Sequence, residues 1–359
     1  MSTAAHPMTE IPKISCKGLW KIFGSFSDTA VGQAGTTDDA IQRISESGAV
    51  AGVADVDLDI REGEVFTLMG LSGSGKSTLL RCLAGLIEPS VGSLTYEGQD
   101  LTQMGRTELR NLRRDKSSMV FQNFALLPNR TVLGNIELPL EIRGMDKTER
   151  RARALDMVEL VGLAGRESHY PRELSGGQQQ RVGIARSLTT NPELWFLDEP
   201  FSALDPLIRR QMQDELLRLQ SRLRKTVIFV THDFDEAVKI SDRIAIMRNG
   251  RIEQCDTAIN IIGNPKNDYI REFVSDVDWT RVVTVGDVAQ PLPVTADAAP
   301  IPARTTLREA AKTLLGSAGP WAVTDDHGQP TGALTRETLS SALEDSVAQK
   351  ALRQRAVSA

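Results

Sequence analysis

Several protein classes are set aside by what this chain has little of. Its three cysteines, Cys16, Cys82 and Cys255, have neither zinc-ligand nor disulfide-framework spacing among 359 residues. A disulfide-stapled or cysteine-held metal fold is therefore not expected. Cys82 has two readings, an oxidation switch or a small buried hydrophobe, and free cysteine more often fills the second role. No apolar run reaches the about 18 residues of a membrane span, and Met1 to Glu10 lacks the basic-then-apolar order of a secretion signal. The expected location is cytoplasmic. A net charge of −5 with dispersed Lys and Arg leaves no electrostatic footprint for nucleic acid, so none is expected as a partner. With aromatics at 5% and four scattered tryptophans, no cage for a quaternary ammonium ligand is visible. The 40% hydrophobic content is enough for cores, and the length suits two or three units of about 150 residues each.

What is present is phosphate chemistry. Gly70, Leu71, Ser72, Gly73, Ser74, Gly75, Lys76 and Ser77 fit G-x-x-x-x-G-K-[ST], in which loop N–H groups surround phosphate oxygens, the lysine reaches the β and γ phosphates and the hydroxyl ligates Mg²⁺. The apolar run Val65 to Met69 before it reads as a buried strand, and Ser77 to Leu83 after it as a helix start. Phosphate would thus meet both the loop and a helix dipole. Farther on, Glu193 to Pro200 reads as a central parallel strand, which delivers Asp198 and Glu199 at its carboxyl end, where ligands of open α/β sheets bind. Asp198 is placed to hold Mg²⁺ through water and Glu199 to polarise an attacking water. The strand Thr226 to Thr231 ends at His232, on the same sheet edge. Ser175, before Gly176, Gly177 and Gln178, starts a helix and offers its hydroxyl and free N–H groups to an anion.

Together these motifs resemble the nucleotide-binding subunits of ABC transporters, over about residues 13–275. The resemblance implies an α/β fold, a P-loop NTPase (RecA-like) ABC domain with a helical subdomain. It makes Gly70 to Thr78 the Walker A loop, Gln122 the Q-loop residue and a Mg²⁺ contact, Leu174 to Gln178 the signature, and Asp198 the Walker B aspartate. It makes Glu199 the catalytic glutamate, Asp205 the D-loop aspartate and His232 the switch histidine. It implies ATP and Mg²⁺ as cofactors and a head-to-tail homodimer in which the signature of one protomer closes over ATP held by the other. Phe23 is the candidate adenine platform and Trp20 the runner-up, with packing as the alternative for both. Transmembrane permease subunits, and indirectly a substrate-binding protein, are the implied partners, and the place is the cytoplasmic face of the membrane.

Residues 24–53 form an insertion too long for a structureless loop, which points to a helix in Asp38 to Ser45 or a functional excursion. Residues 106–180 read as the helical subdomain: Asp146 to Glu149 fits a capping box, and Ala154, Leu155, Val158 and Val161 recur along one face. An apolar loop around Phe124 and Leu126, uncovered by its own chain, would suit contact with a permease. The insertion, the run Phe201 to Leu216 and the stretch Asn267 to Arg271 look like the glycine betaine/proline betaine importer ATPases. An importer for another solute, such as an amino acid or polyamine, and a soluble non-transport ABC ATPase are the alternatives. A linker or edge-strand region of 276–303 marked by four prolines precedes residues 304–347, which resemble one α+β CBS domain: a capping box at Thr306 to Glu309, a strand at Trp321 to Thr324, and a second at Gly332 to Thr335. Such modules work in pairs, so pairing across the dimer and a vestigial module are both open. Thr338 stands where ligand-binding forms carry an acid, which argues against adenine-nucleotide sensing.

Overall fold

The computed structural model describes residues 11–25, 29–32, 34–122, 125–275, 277–291, 298–314, 319–325 and 327–343. The chain divides into two compact units, Met1–Ile252 and Glu253–Ala359.

Among the described residues nine strands lie wholly in the first unit: β1 (Ile14–Phe23), β2 (Val50–Ile60), β3 (Val65–Met69), β4 (Val91–Tyr96), β5 (Gln99–Asp100), β6 (Ser117–Val120), β7 (Leu194–Asp198), β8 (Thr226–Thr231) and β9 (Arg243–Arg248). An antiparallel sheet runs β2-β1-β4-β5, and a parallel one carries β9, β3, β8, β7 and β6 side by side in that order. Every residue of β3, β7 and β8 is buried, the pattern of strands covered on both faces. Their continuous apolar runs are why the sequence reads as central parallel strands. All three end at one sheet edge, where Gly70, Glu199 and His232 follow.

The insertion holds a helix, Thr37–Glu46, capped by Thr36 and packed through Ala40 and Ile44 against Trp20 and Ile22. Within 106–180 the helices Arg106–Lys116, Val132–Ile142 and Lys147–Leu160 appear, and Gly176–Leu188 follows from the signature. Ser117–Val120 departs from the helical reading: it is β6, paired in parallel with β7. Two serines before only two apolar residues hide so short an edge strand in the sequence. Ala154, Val158 and Val161 are buried as the periodicity predicts, while Leu155, a further 100° around the helix, is 40% exposed. Leu126 is packed against the core formed by these helices and β7, so it does find cover in its own chain; Phe124 lies outside the described residues. In the helix Pro206–Leu223, Met212, Leu216 and Leu219 are buried in that same core.

In the second unit Ala299–Pro302 pairs in parallel with Trp321–Thr324, which pairs antiparallel with Pro330–Leu334. The helices Leu307–Leu314 and Arg336–Leu343 flank this sheet. The capping box at Thr306 is reciprocal, Glu309 N donating to Thr306 Oγ1 and Thr306 N to the Glu309 carboxylate. Ile259 and Ile262 pack on the same core, which is why the division falls at Ile252–Glu253 and not near 275, where the composition changes.

Candidate functional site

The phosphate loop joins β3 to the helix Lys76–Leu83. Two glycines are required by close approach. A Cβ on Gly70 (φ 146°) would lie 2.3 Å from the Met247 carbonyl oxygen, and one on Gly75 (φ 102°) 2.3 Å from that of Gly52. Leu71, Ser72 and Gly73 are exposed around the loop's rim. Lys76 is 6% exposed, and its Nζ donates to the carbonyls of Gly70 (2.9 Å) and Leu71 (3.0 Å). One of its three N–H donors is left for an anion. Burial pulls the lysine below its usual range, against the opposing charges of Glu199 and Asp198; a phosphate beside it would favour its charged form. The Ser74 hydroxyl is buried without a partner. An unpaired buried hydroxyl, a lysine short of one acceptor and a helix start with no side-chain cap together fit a bound polyphosphate.

Ser77 Oγ donates to Asp198 Oδ1 at 2.9 Å, and Arg81 stands 3.6 Å from the other carboxylate oxygen. A hydroxyl and a buried carboxylate side by side are hard oxygen donors of the kind Mg²⁺ takes alongside substrate phosphates. Among the described residues no group of three or more His, Cys, Asp or Glu could hold a metal, so a metal here would need phosphate oxygens to complete its shell. Thr78 is half-buried one residue on, near the Phe23 ring across Gly52. Gln122 is exposed just past β6, at the same sheet edge as Asp198.

Glu199, in the left-handed region at φ 43°, leaves β7 sharply, and its Oε2 lies 3.3 Å from His232 Nδ1. Its carboxylate is largely buried whereas the imidazole is mostly exposed, which leaves the ring freer to turn than the carboxylate. Phe23 is 44% exposed with Lys21 Nζ 5.4 Å from its ring centroid, while Trp20 is 3% exposed in the core beside the insertion helix. Of the two aromatics only Phe23 presents a face to solvent.

Ser77, Arg81 and Asp198, with Lys76, Glu199 and His232, are thus brought together at one edge. The signature and the D-loop form a second group. Ser175 N donates to Gln178 Oε1 (3.0 Å) and Gln178 N to Ser175 Oγ (3.4 Å), a complete capping box, so the serine's acceptor is engaged and its hydroxyl proton and the N–H groups of Gly176 and Gly177 remain for an anion. Asp205 caps its own helix by accepting from Leu207 N and Ile208 N. The two helices meet closely: a Cβ on Gly177 would lie 2.6 Å from Ile208 Cγ2. Ser175, Gly177 and Gln178 border an open cavity of about 400 Å³ that Arg166 and Arg181 also line. Arg81, Gly52 and the buried Glu236 were not singled out from sequence; a glycine inside a strand is the one signal that could have pointed to the close backbone approach at Gly52.

Comparison with known proteins agrees with this geometry. The family model described as ABC transporter matches residues 53–202. The chain is 52% identical over 328 residues to the trimethylamine N-oxide transport system ATP-binding protein TmoW of Ruegeria pomeroyi, covering 91% of this chain and 95% of that protein. It is 47% identical over 281 residues to the glycine betaine/proline betaine transport system ATP-binding protein ProV of Escherichia coli, 78% of this chain and 70% of that one. The dimeric post-hydrolysis ATP-binding cassette MJ0796 bound to ADP and Pi aligns at TM-score 0.57 with 34% identity, over 68% of this chain and 98% of its own. The chain belongs to the ABC transporter family, as one of its ATP-binding subunits.

Proposed function

We propose that the protein is the ATP-hydrolysing subunit that energises an importer of a small methylated ammonium solute: glycine betaine, proline betaine, choline or trimethylamine N-oxide. The observation that carries the catalytic part is the convergence of Lys76, Ser77, Asp198, Glu199 and His232 on one sheet edge. The substrate class comes from the relatives' names. The match to the trimethylamine N-oxide system spans 91% of this chain and that to the betaine system 78%, which makes trimethylamine N-oxide the first solute to test.

In this reading Phe23 stacks the adenine, the loop from Gly70 to Thr78 cradles the phosphates and Lys76 turns its remaining N–H donor to them. Ser77, Asp198 and Gln122 would hold Mg²⁺, which would neutralise charge on the phosphates. Glu199 accepts the proton of the attacking water, and His232 moves with the γ-phosphate. Ser175, Gly176, Gly177, Gln178 and Asp205 serve the nucleotide of a second copy, so two chains pair head to tail. Permease subunits, with a substrate-binding protein beyond them, receive the motion at the cytoplasmic face. Among the described residues no helix is long and apolar enough to cross a membrane. Residues 304–347 serve as a CBS-like regulatory module, with ionic-strength gating as its expected role.

Glu199→Gln tests the assignment directly. ATP hydrolysis should fall by about 10² or more, as loss of a general base does, while ATP binding persists and a dimer accumulates on a sizing column. Hydrolysis at the wild-type rate would remove Glu199 from the base's role.

A further inference from the structure

The residues on both sides of His232 converge on one buried carboxylate. Thr231 Oγ1 donates to Glu236 Oε2 and accepts from Asp233 N at 3.0 Å, while Glu236 N donates back to Asp233 Oδ1 at 3.2 Å. The other carboxylate oxygen, Oε1, accepts from Gln213 Nε2 at 3.0 Å. Thr231, Glu236 and Gln213 are 2%, 5% and 6% exposed. Gln213 belongs to the helix Pro206–Leu223 that Asp205 caps, and its Oε1 accepts from Lys239 Nζ at 3.3 Å. From the same helix Arg209 stands 3.8 Å from Asp233 and donates to the carbonyl of Leu204, just before Asp205. A carboxyl this buried is kept at a cost, burial pushing it above the usual range, and both of its oxygens are engaged.

We propose that Glu236 is a positioning residue for hydrolysis, fixing the backbone on both sides of His232 and tying it to the D-loop helix through Gln213. The proposal rests on the reading of His232 and Glu199 as parts of the hydrolytic site. Thr231 ends β8, and Asp233 starts the helix Phe234–Ile240. His232 between them is exposed, so its direction toward Glu199 depends on the backbone of its neighbours. A movement of the D-loop helix when two copies close would be transmitted to His232 through the Gln213 to Glu236 hydrogen bond.

The experiment is steady-state ATPase kinetics on the full chain, with thermal unfolding of each variant, for wild type, E236A, E236Q, H232A and the double variant H232A/E236A. E236A, which loses the hydrogen bonds from both Thr231 and Gln213, is expected to lower kcat about 10-fold or more, with KM for ATP within about 2-fold. E236Q, whose amide oxygen still accepts from Thr231 but whose amide nitrogen meets the Gln213 Nε2 donor, is expected to recover only the part of that loss that comes from Thr231. On the H232A background E236A should cost nothing further, since a residue acting through His232 has nothing left to position. An equal fold-loss from E236A with and without His232 would overturn the proposal, as would E236A turning over at the wild-type rate while H232A is slow. H232A itself at the wild-type rate would overturn the reading of His232 and this proposal with it. If E236A does not fold, Gln213→Ala supplies the same cycle: its kcat loss, about 3-fold, should vanish on the H232A background, and its persistence there would overturn the link.

Discussion

Lys76 shows how a single side chain can be pre-set for an anion. Two of its donors rest on loop carbonyls, and burial disfavours its charge until phosphate arrives. Lys76→Ala should raise the Kd for ATP by about 10- to 100-fold, the range of a charge-assisted hydrogen bond of about 1.5 to 3 kcal/mol, as read by titration with a fluorescent nucleotide. Phe23 and Trp20 separate by the same kind of test. Phe23→Ala should weaken ATP binding by the about 1 to 3 kcal/mol of a base–aromatic stack and leave Tm nearly unchanged. Trp20→Ala should cost about 3 to 5 kcal/mol of stability. The sequence names both aromatics but cannot choose between them by alternation. β1 has register shifts at Leu19 and Lys21, so Leu19 and Trp20 are buried in succession and the period of two is lost. Lys76, Ser77, Asp198 and Glu199 were legible because each sits at a fixed offset from a glycine loop or a strand end. Arg81 and Glu236 were not, since their roles depend on contacts across the fold.

At the scale of elements, capping accounts for much of what holds the two motif groups in shape. Ser175 and Gln178 close a reciprocal box, whereas the box expected at Asp146 is half made: Asp146 accepts from Thr148 N and Glu149 N, and Glu149 pairs with Arg153 at 2.7 Å instead. Sequence spacing signals both boxes equally; the nearby arginine decides the second. The two sheets are tied by another device that no local pattern announces. Lys13, ahead of β1, reaches Glu193, ahead of β7, at 2.7 Å, and Tyr96 of β4 donates to the same carboxylate at 2.6 Å. Burial opposes the charge of Glu193, but the hydrogen bonds from Lys116, Lys13 and Tyr96 outweigh it and hold the carboxyl at about 2. A carboxyl depressed in the folded state contributes stability in full above its unfolded value, about 4.3, and that contribution is lost as pH falls toward 2. The stability gap between wild type and Glu193→Gln, followed by urea unfolding, should therefore be constant above about pH 5 and close between about pH 4 and 2.

For the whole molecule, the division at Ile252–Glu253 matters more than the composition change near 275. A cut after residue 279 would leave Ile259 and Ile262 without the Val283, Val285 and Leu307 side chains of their core. A 1–279 chain should bind a hydrophobic dye and aggregate more than the full chain. The prolines marked the edge strand Ala299–Pro302 in the composition; Ile259 and Ile262 carried no mark of which core they join. If the second unit gates by ionic strength, its removal should flatten the salt dependence of transport. The most direct measurement is uptake of labelled trimethylamine N-oxide, glycine betaine and choline by cells carrying either the wild-type chain or Glu199→Gln. Loss of uptake of at least one of these solutes with the variant is the expected result; unchanged uptake of all three would contradict the assignment of this ATPase to methylated ammonium import.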